Sequence, residues 1–160
     1  MTPARLIATF GGCGLAPRAP GTVGSFAALL VGLPLLRHPR ALLCAGVTAT
    51  LVGWWATSRA GEGEDHSWIV IDEVAGMWIA LLACLPDNQK NGTCPKAAQR
   101  LLWPIVAFGL FRLFDITKPG PIGTLDKRHD ALGVMGDDVL AGVASAGCVL
   151  ALRRVLARRA

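Results

Sequence analysis

The chain has 160 residues, 52% of them hydrophobic and 17% charged, and its 16 Lys and Arg against 11 Asp and Glu give a formal net charge of +5. One domain, residues 1–160, accounts for this length, and so apolar a composition points to a membrane rather than to an ordinary soluble domain. The positive charge does not indicate nucleic acid. Tyr is absent and the Trp and Phe residues lie inside apolar runs, so the aromatics that would stack on bases are missing, while Arg153, Arg154, Arg158 and Arg159 follow the last apolar run, where they suit anionic headgroups.

The first dozen residues are too short and too lightly charged to read as a signal peptide. Apolar runs at 22–36, 41–57, 69–85, 101–114 and 139–152 predict an all-α, compact bundle of about five helices, partly or wholly embedded in the membrane. A span needs about 20 residues, with a lower limit near 17, so the second and third runs are long enough. The shorter runs are expected to be tilted, re-entrant or partly immersed. Helix starts are marked by Pro20-Gly21-Thr22, by Pro39, by Pro104 in the first turn of the fourth helix, and by Asp137-Asp138 opening the fifth. Cys13, Cys44, Cys84, Cys94 and Cys148 show no C-x-x-C spacing and read as reduced thiols, and the sequon at Asn91-Gly92-Thr93 is a weak match.

With short connections the helices alternate up and down, which gathers every acid except Asp87 on one side. Asp65, Asp72 and Glu73 come from the third helix and its approach, Asp137 and Asp138 from the fifth, and Arg112, Asp115 and Lys118 from the end of the fourth. Capping and solubility explain acids such as Glu62 and Glu64, but not Asp72-Glu73 in the first turn of an apolar helix. Gly76, one turn beyond Asp72, allows another helix to approach closely, and Gly142 stands in the same relation to Asp138. Carboxylates crowded at a low-dielectric boundary either take up protons or hold a cation. Mg²⁺, a hard ion with oxygen ligands, would resolve the repulsion most readily.

Arg112 and Lys118 then suit an anionic substrate oxygen, the first as a fork and the second as a point charge, although Arg112 and Asp115 at i, i+3 could equally be a neutral surface pair. Arg18, Gly21, Thr22 and Ser25 surround the start of the first helix, where free backbone N–H groups favour an anion. A phosphocysteine loop does not fit the Cys13 to Arg18 spacing, no D-x-D-x-[TV] motif is present, and His38, His66 and His129 are too scattered to supply a histidine nucleophile. Metal-assisted hydrolysis is the phosphatase chemistry that remains. Two other classes stay open on the residues alone: a small transporter or cation channel using the intramembrane acids, and a helical membrane protein without catalysis.

Four blocks, "APRAPGTVGSFAALL", "DHSWIVIDEVAGMWIA", "FRLFDITKPGPI" and "LGVMGDDVLAG", follow one another between about residues 14 and 142. In that order they closely resemble the phosphatidylglycerophosphatase A family. The resemblance implies an all-α enzyme of the bacterial inner membrane that removes the terminal phosphate of phosphatidylglycerophosphate in a Mg²⁺-dependent reaction. It implies motif positions at Asp72, Glu73, Asp115, Lys118, Asp137 and Asp138, with Arg18, Gly21, Thr22 and Ser25 in the N-terminal block. One departure is His129-Asp130-Ala131, where relatives commonly carry a glycine-rich turn. The expected site therefore has Asp72, Glu73, Asp137, Asp138 and Asp65 around Mg²⁺, and Asp115 orienting water or acting as base. Arg18, Gly21, Thr22, Ser25, Arg112 and Lys118 are expected on the substrate. Basic residues divide nearly evenly between the two sides, so the positive-inside rule does not orient the chain; the family expectation is an active site on the cytoplasmic face.

Overall fold

A computed structural model describes residues 1–61, 66–85, 97–128 and 130–159. The expected metal ligand Asp65 lies outside the described residues, as do His129, Cys94 and the sequon at 91–93. Among the described residues the fold is all-helical: α1 (Pro3–Ala8), a 3-10 turn (Cys13–Leu15), α2 (Pro20–Leu35), α3 (Pro39–Ala60), α4 (Ile71–Leu82), α5 (Ala97–Thr117), α6 (Pro121–Asp126) and α7 (Ala131–Ala157). The five expected helices correspond to α2, α3, α4, α5 and α7. The short α1 and α6 carry too few apolar residues to stand out as runs.

α4 is the hub. It packs against α2, α3, α5 and α7, and Val74, Ala75, Met77, Ala80 and Leu81 are buried along it. Phe111 of α5 and Leu42 of α3 complete the fully buried core around it. Trp78 of α4 donates its indole N–H to the Ala28 carbonyl of α2 at 2.9 Å. The Val70 N–H donates to the Ala8 carbonyl at 2.9 Å, which ties the segment entering α4 to the end of α1.

α4 and α7 cross with their backbones close together. A Cβ on Gly76 would stand 2.5 Å from the Asp138 carbonyl oxygen and 2.5 Å from Phe111 Cε2, and a Cβ on Gly142 would run into the Gly76 backbone. The two glycines expected to permit close approach are thus each other's partners. Only backbones without side chains can meet at this separation.

Three boundaries differ from the sequence expectation. α4 has 12 residues, roughly 18 Å at 1.5 Å per residue, and is too short for a hydrocarbon core of about 30 Å. Among the described residues, α3 with 22 residues and α7 with 27 are the helices long and apolar enough to cross a membrane. Pro104 lies two turns inside α5, fully buried, rather than in its first turn. Asp137-Asp138 do not open the last helix. Asp130 caps it, its Oδ1 accepting from the Gly133 N–H at 2.8 Å, and the helix runs on through Gly133 and Gly136. Gly133, without a side chain, lets this first part of α7 pack tightly on the Arg128 and Leu125 carbonyls.

The outer surface carries many large apolar side chains. Phe26, Leu30 and Val31 of α2, Leu51, Trp54 and Trp55 of α3, Ile105 and Leu113 of α5, and Val143 and Leu152 of α7 are all exposed. Helices apolar on every face belong in a bilayer, and the chain is a membrane protein by this criterion.

Candidate active site

One end of the bundle carries a cleft of about 320 Å³ lined by residues from every expected block, among them Gly21, Asp72, Glu73, Arg112, Asp115, Lys118 and Asp137. Its floor is the first turn of α4. Asp72 Oδ1 accepts from the Glu73 N–H at 2.9 Å, and negative charge there is favoured by the helix N-terminus. α7 repeats the arrangement, with Asp137 Oδ1 accepting from the Asp138 N–H at 2.9 Å. Because α4 and α7 cross at Gly76 and Gly142, the two acidic pairs are pressed together. Asp72, Glu73 and Asp138 each offer an oxygen within 4.8 Å of the others.

Glu73 Oε2 and Asp138 Oδ1 are buried without a hydrogen-bond partner, and Asp72 and Asp138 are 7% and 4% exposed. Buried carboxylate oxygens left unsatisfied carry a desolvation cost that a proton or a cation must offset. All the donors are oxygens, the set that a hard divalent ion takes. A metal of the Mg²⁺ class therefore fits the residues present.

Two cations face this group. Arg112 donates through one terminal nitrogen to Ser25 Oγ at 3.2 Å and lies 2.5 Å from Asp115 Oδ2. Its Nε is buried without a partner. Ser25 is fully buried and donates to the Gly21 carbonyl at 2.6 Å, so its hydroxyl is already engaged and touches Arg112. Gly21 comes so close to Glu73 that a Cβ would collide with that carboxylate. Lys118 bonds Asp137 at 2.8 Å and also bonds Asp126. Burial pulls the Lys118 ammonium down, but the hydrogen bonds and charges of Asp126 and Asp137 outweigh it and hold the group above its ordinary value.

Of the residues expected in the site, Gly21, Asp72, Glu73, Arg112, Asp115, Lys118 and Asp137 line the cleft, Asp138 joins the acid cluster, and Ser25 stands behind Arg112. Arg18 and Thr22 are exposed and do not line it. The α2 start is shaped by Ala19, at φ 47°, and by Pro20 in its first turn, with no side-chain cap. His66, Ser67 and Ile69 line the cleft unanticipated. His66 stacks on Trp68, and the Arg5 guanidinium lies 5.0 Å from the Trp68 ring. His66 was legible only as a member of the second block, since nothing in its spacing marks a ligand.

The model of the phosphatidylglycerophosphatase A family matches residues 6–153. The chain belongs to that family. Phosphatidylglycerophosphatase A of Escherichia coli K12 is 36% identical over 151 residues, covering 91% of this chain and 80% of the relative. The protein of that name from Haemophilus influenzae Rd is 35% identical over 159 residues, covering 96% and 90%. A Bacteroides thetaiotaomicron protein, provisionally named a phosphatidylinositol-3-phosphatase, is 41% identical over 149 residues, covering 88% and 87%. No solved structure matches. Membership makes the chain an enzyme of a phosphatase family, and the acids gather at one end of the bundle rather than along its depth, as a cation pathway would require.

Proposed function

We propose that the protein hydrolyses the terminal phosphate monoester of phosphatidylglycerophosphate to phosphatidylglycerol and inorganic phosphate, with Mg²⁺, at the cytoplasmic face of a bacterial inner membrane. The observation that carries the reading is the buried triple of Asp72, Glu73 and Asp138, with two unsatisfied oxygens, facing Arg112 and Lys118 across a cleft at one end of an apolar bundle. Acids of one sign opposite two cations suit a metal and a phosphate together. The apolar outer surface suits a substrate that stays in the lipid.

Asp72, Glu73 and Asp138 would hold Mg²⁺, with Asp137 beside them. When bound, the ion would draw charge from the phosphoryl oxygens and acidify a water. Arg112, braced by Ser25 and Asp115, presents a guanidinium to the phosphate, and Lys118 presents an ammonium. Both stabilise the charge that grows on the phosphoryl oxygens as the water oxygen bonds to phosphorus and the bond to the glycerol oxygen breaks. Asp115 lines the cleft and accepts the water's proton. The departing glycerol oxygen takes up a proton.

The test is phosphate release from phosphatidylglycerophosphate in detergent micelles, with Mg²⁺ or with EDTA, comparing the natural chain with Asp138→Asn. Metal-dependent release that disappears in the variant is the expected result. Equal release with and without the metal, or full activity in the variant, would refute the site. Phosphatidylinositol 3-phosphate belongs beside it in the assay, since the Bacteroides relative carries that name; preference for that lipid would reassign the headgroup while leaving the chemistry.

A further inference from the structure

Lys118 is held in a way that its own chain position does not explain. It ends α5 with φ 44°, a region that a long side chain rarely adopts. Its N–H still donates to the Phe114 carbonyl at 2.8 Å, so the turn closes while the side chain is directed back to the cleft. α6 is packed so as to keep it there. A Cβ on Gly123 would stand 2.5 Å from the Lys118 carbonyl oxygen, Ile122 is buried, and the Leu125 side chain packs against Gly136 of α7. The Arg128 N–H closes the end of α6 on the Leu125 carbonyl at 2.8 Å.

That packing fixes the place of Asp126, the last residue of α6, which bonds the Lys118 ammonium alongside Asp137 of α7. Asp126 is 37% exposed and Lys118 29% exposed in their side chains. An ion pair so open to solvent adds little to stability. Its geometric effect is larger. A lysine has three N–H donors on a flexible stem, and here two are taken by carboxylates on separate helices, which leaves the third for an oxygen in the cleft that Lys118 lines.

We propose that Asp126 is a positioning residue: together with Asp137 it suspends the Lys118 ammonium at the rim of the cleft, aimed at an oxygen of the substrate phosphate. Without Asp126 the ammonium has one anchor and can swing about it. The part concerning phosphate rests on the function proposed above; the part concerning Lys118 does not.

The experiment uses the full chain in detergent, as Asp126→Asn, Asp126→Glu, Lys118→Ala and the double variant Lys118→Ala with Asp126→Asn. Michaelis kinetics on phosphatidylglycerophosphate are read beside the labelling rate of Lys118 by an amine reagent, followed by peptide mass mapping. Asp126→Asn should lower kcat/KM about tenfold, because Lys118 acts on the charge that grows on the phosphoryl oxygens, with an unchanged melting temperature. Asp126→Glu should recover most of the loss. Lys118 should label several-fold faster in Asp126→Asn, and adding Asp126→Asn to Lys118→Ala should cost nothing further. An unchanged kcat/KM in Asp126→Asn overturns the proposal, as does a loss that persists in full in the Lys118→Ala background. Should the natural chain release no phosphate, the function fails by that result alone. Unchanged labelling of Lys118 in Asp126→Asn would then overturn the positioning role separately.

Discussion

Gly76→Ala is the substitution that most directly tests whether the α4 to α7 crossing builds the acid cluster. The added Cβ would stand 2.5 Å from the Asp138 carbonyl oxygen and from Phe111 Cε2, while carbon atoms rest at about 3.5 Å or more. One helix must therefore move by about 1 Å. The obstructing atoms are a helix backbone and a buried ring, so neither can turn aside as a flexible side chain would. Overpacking of this kind costs about 1–3 kcal/mol, which a chain of this size should survive. The movement also separates Asp72 and Glu73 on α4 from Asp138 on α7, whose oxygens now lie within 4.8 Å of one another. A displacement of about 1 Å in a catalytic constellation costs on the order of a hundredfold in rate. Thermal unfolding in detergent and phosphate release with Mg²⁺ should thus diverge, with a modest fall in melting temperature and a loss of activity far beyond it. Natural activity in a folded Gly76→Ala protein would refute the view that this crossing sets the cluster.

The remaining predictions concern the cluster's charge and the start of α7. Mg²⁺ at ten times its dissociation constant should stabilise the natural chain by about 1.4 kcal/mol, read as a rise in melting temperature, and should stabilise Asp138→Asn much less; equal shifts would place the ion elsewhere. In metal-free buffer Asp138→Asn should be as stable as the natural chain or more so, because it removes a charge from a buried group of like charges, and a large fall in melting temperature would contradict this. The Arg128 hydrogen bond, followed by the Gly133 N–H, holds the Asp130 carboxyl below its usual range. A carboxylate depressed in the folded state contributes stability above its unfolded pKa of about 3.9 and loses it as the pH falls through the folded value. Asp130→Ala should therefore melt below the natural chain at pH 7 and converge with it in acid; a pH-independent gap would refute the capping role.

Much of the site is legible in the order of residues. Asp72-Glu73 stand out because carboxylates in the first turn of an apolar helix are costly unless something uses them, and up-and-down alternation of helices places Arg112, Asp115 and Lys118 at the same end. Gly76 and Gly142 are legible as places of close approach, since each follows an acid by one turn. Less accessible is the start of α7. Asp137-Asp138 read as its opening, whereas the helix begins at Ala131, where Gly133 and Gly136 pack against Leu125 of α6 without side chains of their own. α4 also reads as a possible span, although its helix is 12 residues long and enclosed by its neighbours.

By itself the amino-acid sequence determined the all-helical class, the membrane setting, the family and most of the acids and cations of the site, because hydrophobic periodicity and residue chemistry are local properties carried in the order of residues. Only the tertiary structure decided which of those groups meet. Ser25 became the brace of Arg112, Asp126 the second anchor of Lys118, and Arg18 and Thr22 stayed outside the cleft. The physical reason is that a hydrogen bond or a shared cation depends on distances of a few ångströms between helices far apart in the chain, and the separation of α4 and α7 is set by two glycine backbones pressed together rather than by anything either helix carries alone.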